Sequence, residues 1–389
     1  MKRIIYDEPI PIKLWLDDIE PGALKQARNL ARLPFAFGHI ALMPDCHEGF
    51  GMPIGGIMAA RDVIIPNAVG VDIGCGMCAV QTSLDAIPKK TLEKIITDIS
   101  RAIPVGFKHH PVPPNPNRMP VPKSFEELPI VAREFKKATF QLGTLGGGNH
   151  FIEIQKGSDG KIWIMVHSGS RNIGKQVADY YNRLAVELNE KWKTGIPRAA
   201  QLAFLHFDSN EGRQYFAEMN YCIEFAFENR RLMVDFIKEI FADHFKGSFS
   251  AAPTINIAHN YAAIETHFGQ EVILHRKGAT KAGSDTIGII PGSQGDYSYI
   301  VKGKGNPESF ESCSHGAGRK MGRKEAIRKL NFKEELSNLE KQGIIHSLRK
   351  PADLEEAMGA YKDIGMVMKN QNDLVEVLVE LKPLGVIKG

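Results

Sequence analysis

The sequence predicts an α+β fold: segments of helical period and short β-branched runs both occur, and their order lacks the regular alternation of a doubly wound sheet. Helices are expected at residues 21–33, 90–104, 174–192, 208–245, 319–342 and 352–369. Runs rich in Val and Ile, bounded by Gly or Asp, mark strands at 162–166, 271–275, 286–290, 297–301 and 374–380. The clearest helix is 208–245. There Tyr215, Met219, Cys222, Ile223, Val234, Ile237, Ile240 and Phe241 largely follow helical spacing, and Asp208 ahead of Glu211 suggests a capping box. These apolar positions read as core. Residues 108–123 (KHHPVPPNPNRMPVPK) are too rich in proline for a helix and lack strand alternation. A long surface loop is the expectation there, with a domain linker as the alternative.

The chain has 389 residues, 43% hydrophobic and 24% charged, enough for a large core in one domain or two. The opening MKRIIYDEPIPIKLW lacks the apolar stretch of a secretory signal, and no run of about 18 apolar residues occurs, so a cytoplasmic protein away from membranes is expected. Five cysteines (Cys46, Cys75, Cys78, Cys222, Cys313) argue against a disulfide framework and leave thiols free as ligands. A net charge of +4 suits a phosphate-rich partner without demanding one.

Three local patterns imitate known motifs and fail on inspection. Cys75-Gly-Met-Cys78 has redox or half-zinc spacing, but no second pair completes a zinc ribbon and the context is not that of a thioredoxin. Residues 169–176 (GSRNIGKQ) nearly spell a P-loop, yet Gln176 replaces the hydroxyl that would hold magnesium. Residues 49–55 (GFGMPIG) have the wrong spacing for a dinucleotide fingerprint, and no strand is evident before them.

Other stretches carry chemistry. In VGVDIGCGM at 69–77, glycines let Asp72 and Cys75 converge on one point. Taken alone, a buried turn with a structural cysteine is the favoured reading. GTLGGGNHFIE at 143–153 places Asn149, His150 and Glu153 after a Gly-rich turn, which suggests backbone shaped around a ligand. HSGSR at 167–171 sets a histidine at a strand end beside an arginine, and His259-Asn260 follows the apolar run INIA. Three histidines, one Asp and one Cys suffice for two metal ions when the thiolate bridges, and the mixed donors fit zinc, iron or manganese. In SCSHGAGR at 312–319, His315 is uncrowded, with backbone N–H groups beside it and Arg319 and Arg323 near in sequence, as a histidine attacking phosphorus requires. An exposed histidine at a helix N-terminus is the plainer reading, and the two are compatible.

With these motifs in order, the sequence resembles the RtcB family of RNA ligases over almost its whole length. The landmarks are MPDCHEGFGMPIGG at 43–56, GVDIGCGM at 70–77, GTLGGGNHFIE, HSGSR, His259-Asn260, PGS at 291–293, HGAGR at 315–319 and Lys388-Gly389. The resemblance implies one catalytic domain over 1–389, with mixed β-sheets and surrounding helices, acting as a monomer. It implies two Mn2+ ions, one on Cys75, His167 and His259 and the other on Asp72, Cys75 and His150. GTP is expected against Asn149, His150, Phe151, Ile152, Glu153, His259, Asn260, Pro291, Gly292, Ser293, Gln294, Ser298, His315, Gly316, Ala317, Gly318 and Lys388. Asp45, Arg171 and Arg323 match positions that handle RNA ends or phosphates. Gln294 stands where the family usually has Met.

The implied reaction joins an RNA 3'-phosphate, or a 2',3'-cyclic phosphate opened first, to a 5'-hydroxyl RNA in tRNA splicing or RNA repair. His315 carries GMP as a guanylyl-histidine, and an RNA-3'-pp-5'-G end follows. Two rivals remain beside it: a two-metal phosphodiesterase or phosphatase that hydrolyses without joining, and a non-catalytic binder of RNA ends.

Overall fold

A computed structural model describes residues 1–122 and 124–389; Lys123, which closes the Pro-rich stretch, lies outside the described residues. Two large sheets organise the chain. The first runs in the order Arg3–Ile5, Ile12–Leu14, Ala36–His47, Ile54–Ala60, Gln270–Lys277, Asn260–His267. The second runs Ile255–Ala258, Gly76–Gln81, Ile162–Ser168, Phe151–Gly157, Val375–Lys388, Ser298–Gly303, Ile287–Ile290. Neighbours within these sheets are antiparallel except Ile12–Leu14 with Ala36–His47. The architecture is α+β, as the irregular order of segments predicts.

Helices cover one face of the second sheet. Ile95 and Ile99 of helix Lys89–Ala102 and Met233, Ile237 and Phe241 of the long helix Asn210–Phe245 pack with Val80, Ile152, Ile164 and Val166 of the strands. Trp163, Met165, Met77 and Ile300 alternate onto the opposite face, as the two-residue side-chain period of a strand requires. The first sheet packs helix Pro21–Ala31 on one side through Ala23, Ala27 and Leu30. Its other side meets the second sheet through Trp15, Met43, Ile57, Leu274, Ile290 and Tyr299. The two sheets are directly continuous at His259, the residue between strands Ile255–Ala258 and Asn260–His267.

Several expected elements differ. The segment 319–342 is two helices, Arg323–Lys329 and Phe332–Lys341, because Leu330 turns extended and the Asn331 side chain caps a new start at Lys333 and Glu334. The segment 352–369 is two 3-10 turns, Pro351–Glu356 and Met358–Ala360, then a short helix Ile364–Lys369 capped by Asp363. The long helix is capped by Ser209, which accepts from Gly212 N, rather than by Asp208.

Helix Pro129–Gln141 and strands Ala36–His47, Ile54–Ala60, Gly76–Gln81 and Phe151–Gly157 were not expected. Most of these strands are buried on both faces, which erases the alternation that marks a half-exposed strand. A strand, Ala36–His47, does therefore precede GFGMPIG, but it leads into an antiparallel strand and not a helix, so the motif is no dinucleotide site. Residues 171–192 of the P-loop imitation and its continuation form one helix. Cys78 packs in the apolar cluster under the helices, away from Cys75, and all five thiols are free and buried. The described part of the Pro-rich stretch, residues 108–122, is a loop with a 3-10 turn at Pro116–Arg118, tied to the long helix by Arg118 on Glu228 and Asp235. Among the described residues, no helix is long and apolar enough to cross a membrane.

Candidate metal centre and nucleophile

Three adjacent strands of the second sheet end on one edge, and each delivers a ligand-type side chain there. Cys75 immediately precedes Gly76–Gln81, His167 sits at the end of Ile162–Ser168, and His259 follows Ile255–Ala258. One atom from each of Cys75, His167 and His259 lies within 4.8 Å of the others, and the same holds for Asp72, Cys75 and His150. Cys75 belongs to both groups. These are the two sets of residues that the resemblance names for two ions.

Local contacts fix the rings. His167 Nδ1 faces the Asn149 carbonyl at 3.1 Å, which makes that nitrogen the donor and leaves Nε2 unprotonated, 3.3 Å from Cys75 Sγ. His150 Nε2 lies 3.5 Å from Cys75 Sγ and 3.0 Å from Asp72 Oδ2. The buried Nδ1 atoms of His150 and His259 have no hydrogen-bond partner among the described residues. Burial pushes the Cys75 thiol up, with Asp72 adding to it, and holds His167 and His259 well below the usual histidine value. Neutral imidazoles, a carboxylate and a sulfur that a cation would hold as thiolate are donors of mixed softness, and this fits a first-row divalent ion.

His315 stands against this cluster, its ring centroid 4.8 Å from that of His259. It follows the strand Ser312–Ser314, and the first helical residue downstream is Arg323, so the helix N-terminus reading fails. Asp45, on strand Ala36–His47, is fully buried and accepts twice on Oδ2: from His315 N at 3.0 Å and from His315 Nδ1 at 2.6 Å. Burial raises the Asp45 carboxyl, but the charge and hydrogen bond of His315, with Lys362 beyond, hold it below the ordinary value. An ionised Asp45 only accepts, so Nδ1 is the donor of this pair and Nε2 is the ring nitrogen left free of it. Close approach depends on Gly318, at φ +71, where a Cβ would stand 2.1 Å from the Asp45 carbonyl oxygen.

A second polar cluster adjoins the His315 segment, where Gly316 packs on Pro291. Glu153 accepts from Gln155 Nε2 at 2.7 Å, Gln155 reaches Ser298 Oγ at 3.2 Å, and Ser298 Oγ accepts from Gly292 N at 3.2 Å. Lys388 pairs opposite Phe151 in the sheet and holds its ammonium over that ring. Glu356 gathers the neighbouring cations: Arg319 at 3.1 Å, Arg323 at 3.2 Å and Lys388 at 3.9 Å, with Tyr361 donating to it as well. Gln294 Nε2 donates to the Glu356 carbonyl at 3.2 Å, and its buried Oε1 has no partner among the described residues.

The family profile described as tRNA-splicing ligase RtcB matches residues 26–128 and 117–389. The chain belongs to the RtcB family. It is 36% identical to the RNA-splicing ligase RtcB of Escherichia coli strain K12, over 100% of this chain and 99% of the relative. It is 30% identical to the tRNA-splicing ligase RtcB of Thermococcus kodakarensis, over 100% of this chain and 94% of the relative. The same identity, 30%, holds against the tRNA-splicing ligase RtcB of Methanococcus maripaludis, over 97% and 93%.

The RtcB motifs thus meet in space as well as in order. Asn260 joins two of them, donating to the Asp72 carbonyl at 3.1 Å and accepting from Gly278 N at 2.8 Å. Ser293 caps its own turn through Asp296, and Gly316 packs on the Pro291 carbonyl. Ile152 and Ala317 turn their side chains into apolar clusters, so they offer the polar cluster their backbone. Arg171 is held by Thr144 and the Gly106 carbonyl at 2.9 and 2.7 Å, and adopts φ +59, a strained value for a non-glycine residue. Arg171 and Arg323 lie against Gly146 and Gly148 of the same loop.

Sequence reading missed Gln155, Glu356, Tyr361 and Asn229. Gln155 had a signal, since it lies two residues beyond Glu153 and shares its strand face. Asn229 accepts from Gly143 N and Thr144 N and donates to Ser168 Oγ and the Gly169 carbonyl, so it pins the Gly-rich loop from within a helix that reads as core.

Glu153 also links this polar cluster to stability. Burial pushes its carboxyl from 4.5 up to about 8, against the pull of Lys388 and Gln155. The folded state therefore holds a proton that the unfolded chain releases, and stability of the unliganded protein falls as pH rises between 4.5 and about 8. The slope approaches about 1.4 kcal/mol per pH unit at its steepest. Glu153→Gln is expected to flatten the fall of the urea midpoint across that window; an unchanged slope in the variant refutes the assignment.

Proposed function

We propose that this chain is a GTP- and manganese-dependent RNA ligase. It joins an RNA 3'-phosphate, or a 2',3'-cyclic phosphate opened first, to a 5'-hydroxyl RNA, and acts as a one-domain monomer in tRNA splicing or RNA repair. The observation that carries the reading is the Asp45–His315 pair, 2.6 Å apart and packed against the Cys75, His167 and His259 group. It presents an imidazole with Nδ1 engaged and Nε2 left for attack beside a candidate cation site, and family membership supplies the reaction class.

His315 Nε2 attacks the α-phosphorus of GTP: the N–P bond forms and the P–O bond to pyrophosphate breaks. A 3'-phosphate oxygen of the RNA then takes the guanylyl group and frees His315. The 5'-hydroxyl of the second RNA attacks the activated 3'-phosphorus, and GMP leaves. Two cations, held by Cys75, His167 and His259 and by Asp72, Cys75 and His150, would supply charge neutralisation for anionic nucleophiles at anionic phosphorus. Asp45 fixes the tautomer and steadies the positive charge that the ring gains as the N–P bond forms and pyrophosphate leaves. Glu153 and Lys388 offer a hydrogen-bonding acid and a cation to the guanine edge, while Arg171 and Arg323 receive RNA phosphates.

Incubation with manganese, GTP, a 3'-phosphate RNA and a 5'-hydroxyl RNA should yield one joined strand and release GMP. Loss of the 3'-phosphate without joining would establish a phosphatase instead, and binding with no chemistry a passive RNA-end binder.

A further inference from the structure

The long helix Asn210–Phe245 carries a charged residue where its sequence reads as core. Arg230 is fully buried, 0% exposed, and among the described residues no carboxylate contacts it. Its Nη1 donates to the carbonyls of Gly74 and Ser168, each at 2.8 Å, and its Nε donates to Asn256 Oδ1 at 2.8 Å. These partners lie on three neighbouring strands or the turns that lead into them. Gly74 precedes Cys75, Ser168 follows His167, and Asn256 is on the strand that ends at His259. Asn256 is itself fixed, donating through Nδ2 to the Phe227 carbonyl on the same helix at 3.0 Å.

We propose that Arg230 is the positioning residue of the metal centre, one guanidinium that holds in register the three segments carrying Cys75, His167 and His259. The proposal rests on reading that cluster as a metal site, but not on the ligase reaction. A rigid planar fork reaches two carbonyls and an amide on separate strands, whereas a lysine ammonium on a flexible stem does not reproduce the span. A cation buried without a carboxylate contact is costly, so the three hydrogen bonds to Gly74, Ser168 and Asn256 are what hold it. Gly74, at φ +72, closes the arrangement: a Cβ there would come 2.9 Å from Ile223 Cα, so the Cys75 turn lies directly on the helix that bears Arg230.

The test uses cobalt(II) as the probe, with the full chain and no nucleotide. Arg230→Lys and Arg230→Met are expected to weaken cobalt binding by about 10- to 100-fold, the usual range for a residue that orients ligands, and to weaken the sulfur-to-cobalt charge-transfer band. Asn256→Ala removes one arm and should shift affinity in the same direction by less. Met233→Ala, which trims a core side chain on the same helix, should lower the melting temperature and leave cobalt affinity unchanged. Wild-type cobalt affinity and spectrum in a folded Arg230→Met or Arg230→Lys would overturn the proposal. If neither folds, Asn256→Ala decides: unchanged affinity there refutes it. A wild-type protein that binds no cobalt defeats the metal-site reading itself, and with it this role for Arg230.

Discussion

His315→Ala is expected to abolish covalent labelling by α-labelled GTP and to lower GTP-dependent joining by on the order of 10⁴-fold or more, the scale of removing a covalent nucleophile. The neighbouring histidines are poor substitutes. His259 and His167 are buried among the metal-binding donors, and His47 directs its Nδ1 to the Asp45 carbonyl oxygen at 3.0 Å. Only His315 combines a partnered Nδ1 on an ionised carboxylate with partial exposure, 15% of its side chain. The label on the wild type should be acid-labile, as a phosphoramidate is, and the variant should bind cobalt normally. Labelling of His315→Ala at the wild-type rate would place the nucleophile elsewhere.

Cys75→Ala is expected to empty both halves of the metal centre. Its sulfur is common to the two groups of ligand atoms, so one substitution reduces each from three protein donors to two. His259→Ala, which touches one group, should cost one ion. The fold should survive in both cases, because deleting a small buried side chain costs only a few kcal/mol at most. Bound manganese measured after gel filtration tests the contrast: near zero for Cys75→Ala, and about one fewer equivalent for His259→Ala than for wild type. Full manganese content in Cys75→Ala rules out a shared thiolate.

What the sequence makes legible is the chemistry-bearing turns. Cys75 and His315 sit beside glycine, Asp72 and His150 two residues from one, and His167 and His259 at the end of an apolar run, and that local contrast marks them. Their convergence is invisible locally, because it depends on three strands ending on one edge. The strands that carry the site are the least legible elements: Ala36–His47 and Gly76–Gln81 are buried on nearly all positions, and so lack a polar face. Asp45 illustrates the same point. It matches a position that handles RNA ends, and its contact with His315, a partner 270 positions away, is invisible in the local sequence. Arg230 and Asn229 were hidden by the opposite effect, since a strongly apolar helical pattern drew attention away from the polar residues within it.

His259 is the one residue between strand Ile255–Ala258 of one sheet and strand Asn260–His267 of the other. A ligand placed at such a seam binds two layers at once. An ion held there would tie the turn between the two sheets to the strand ends that carry Cys75 and His167. Loading such an ion would thereby also steady the wall against which the His315 ring packs.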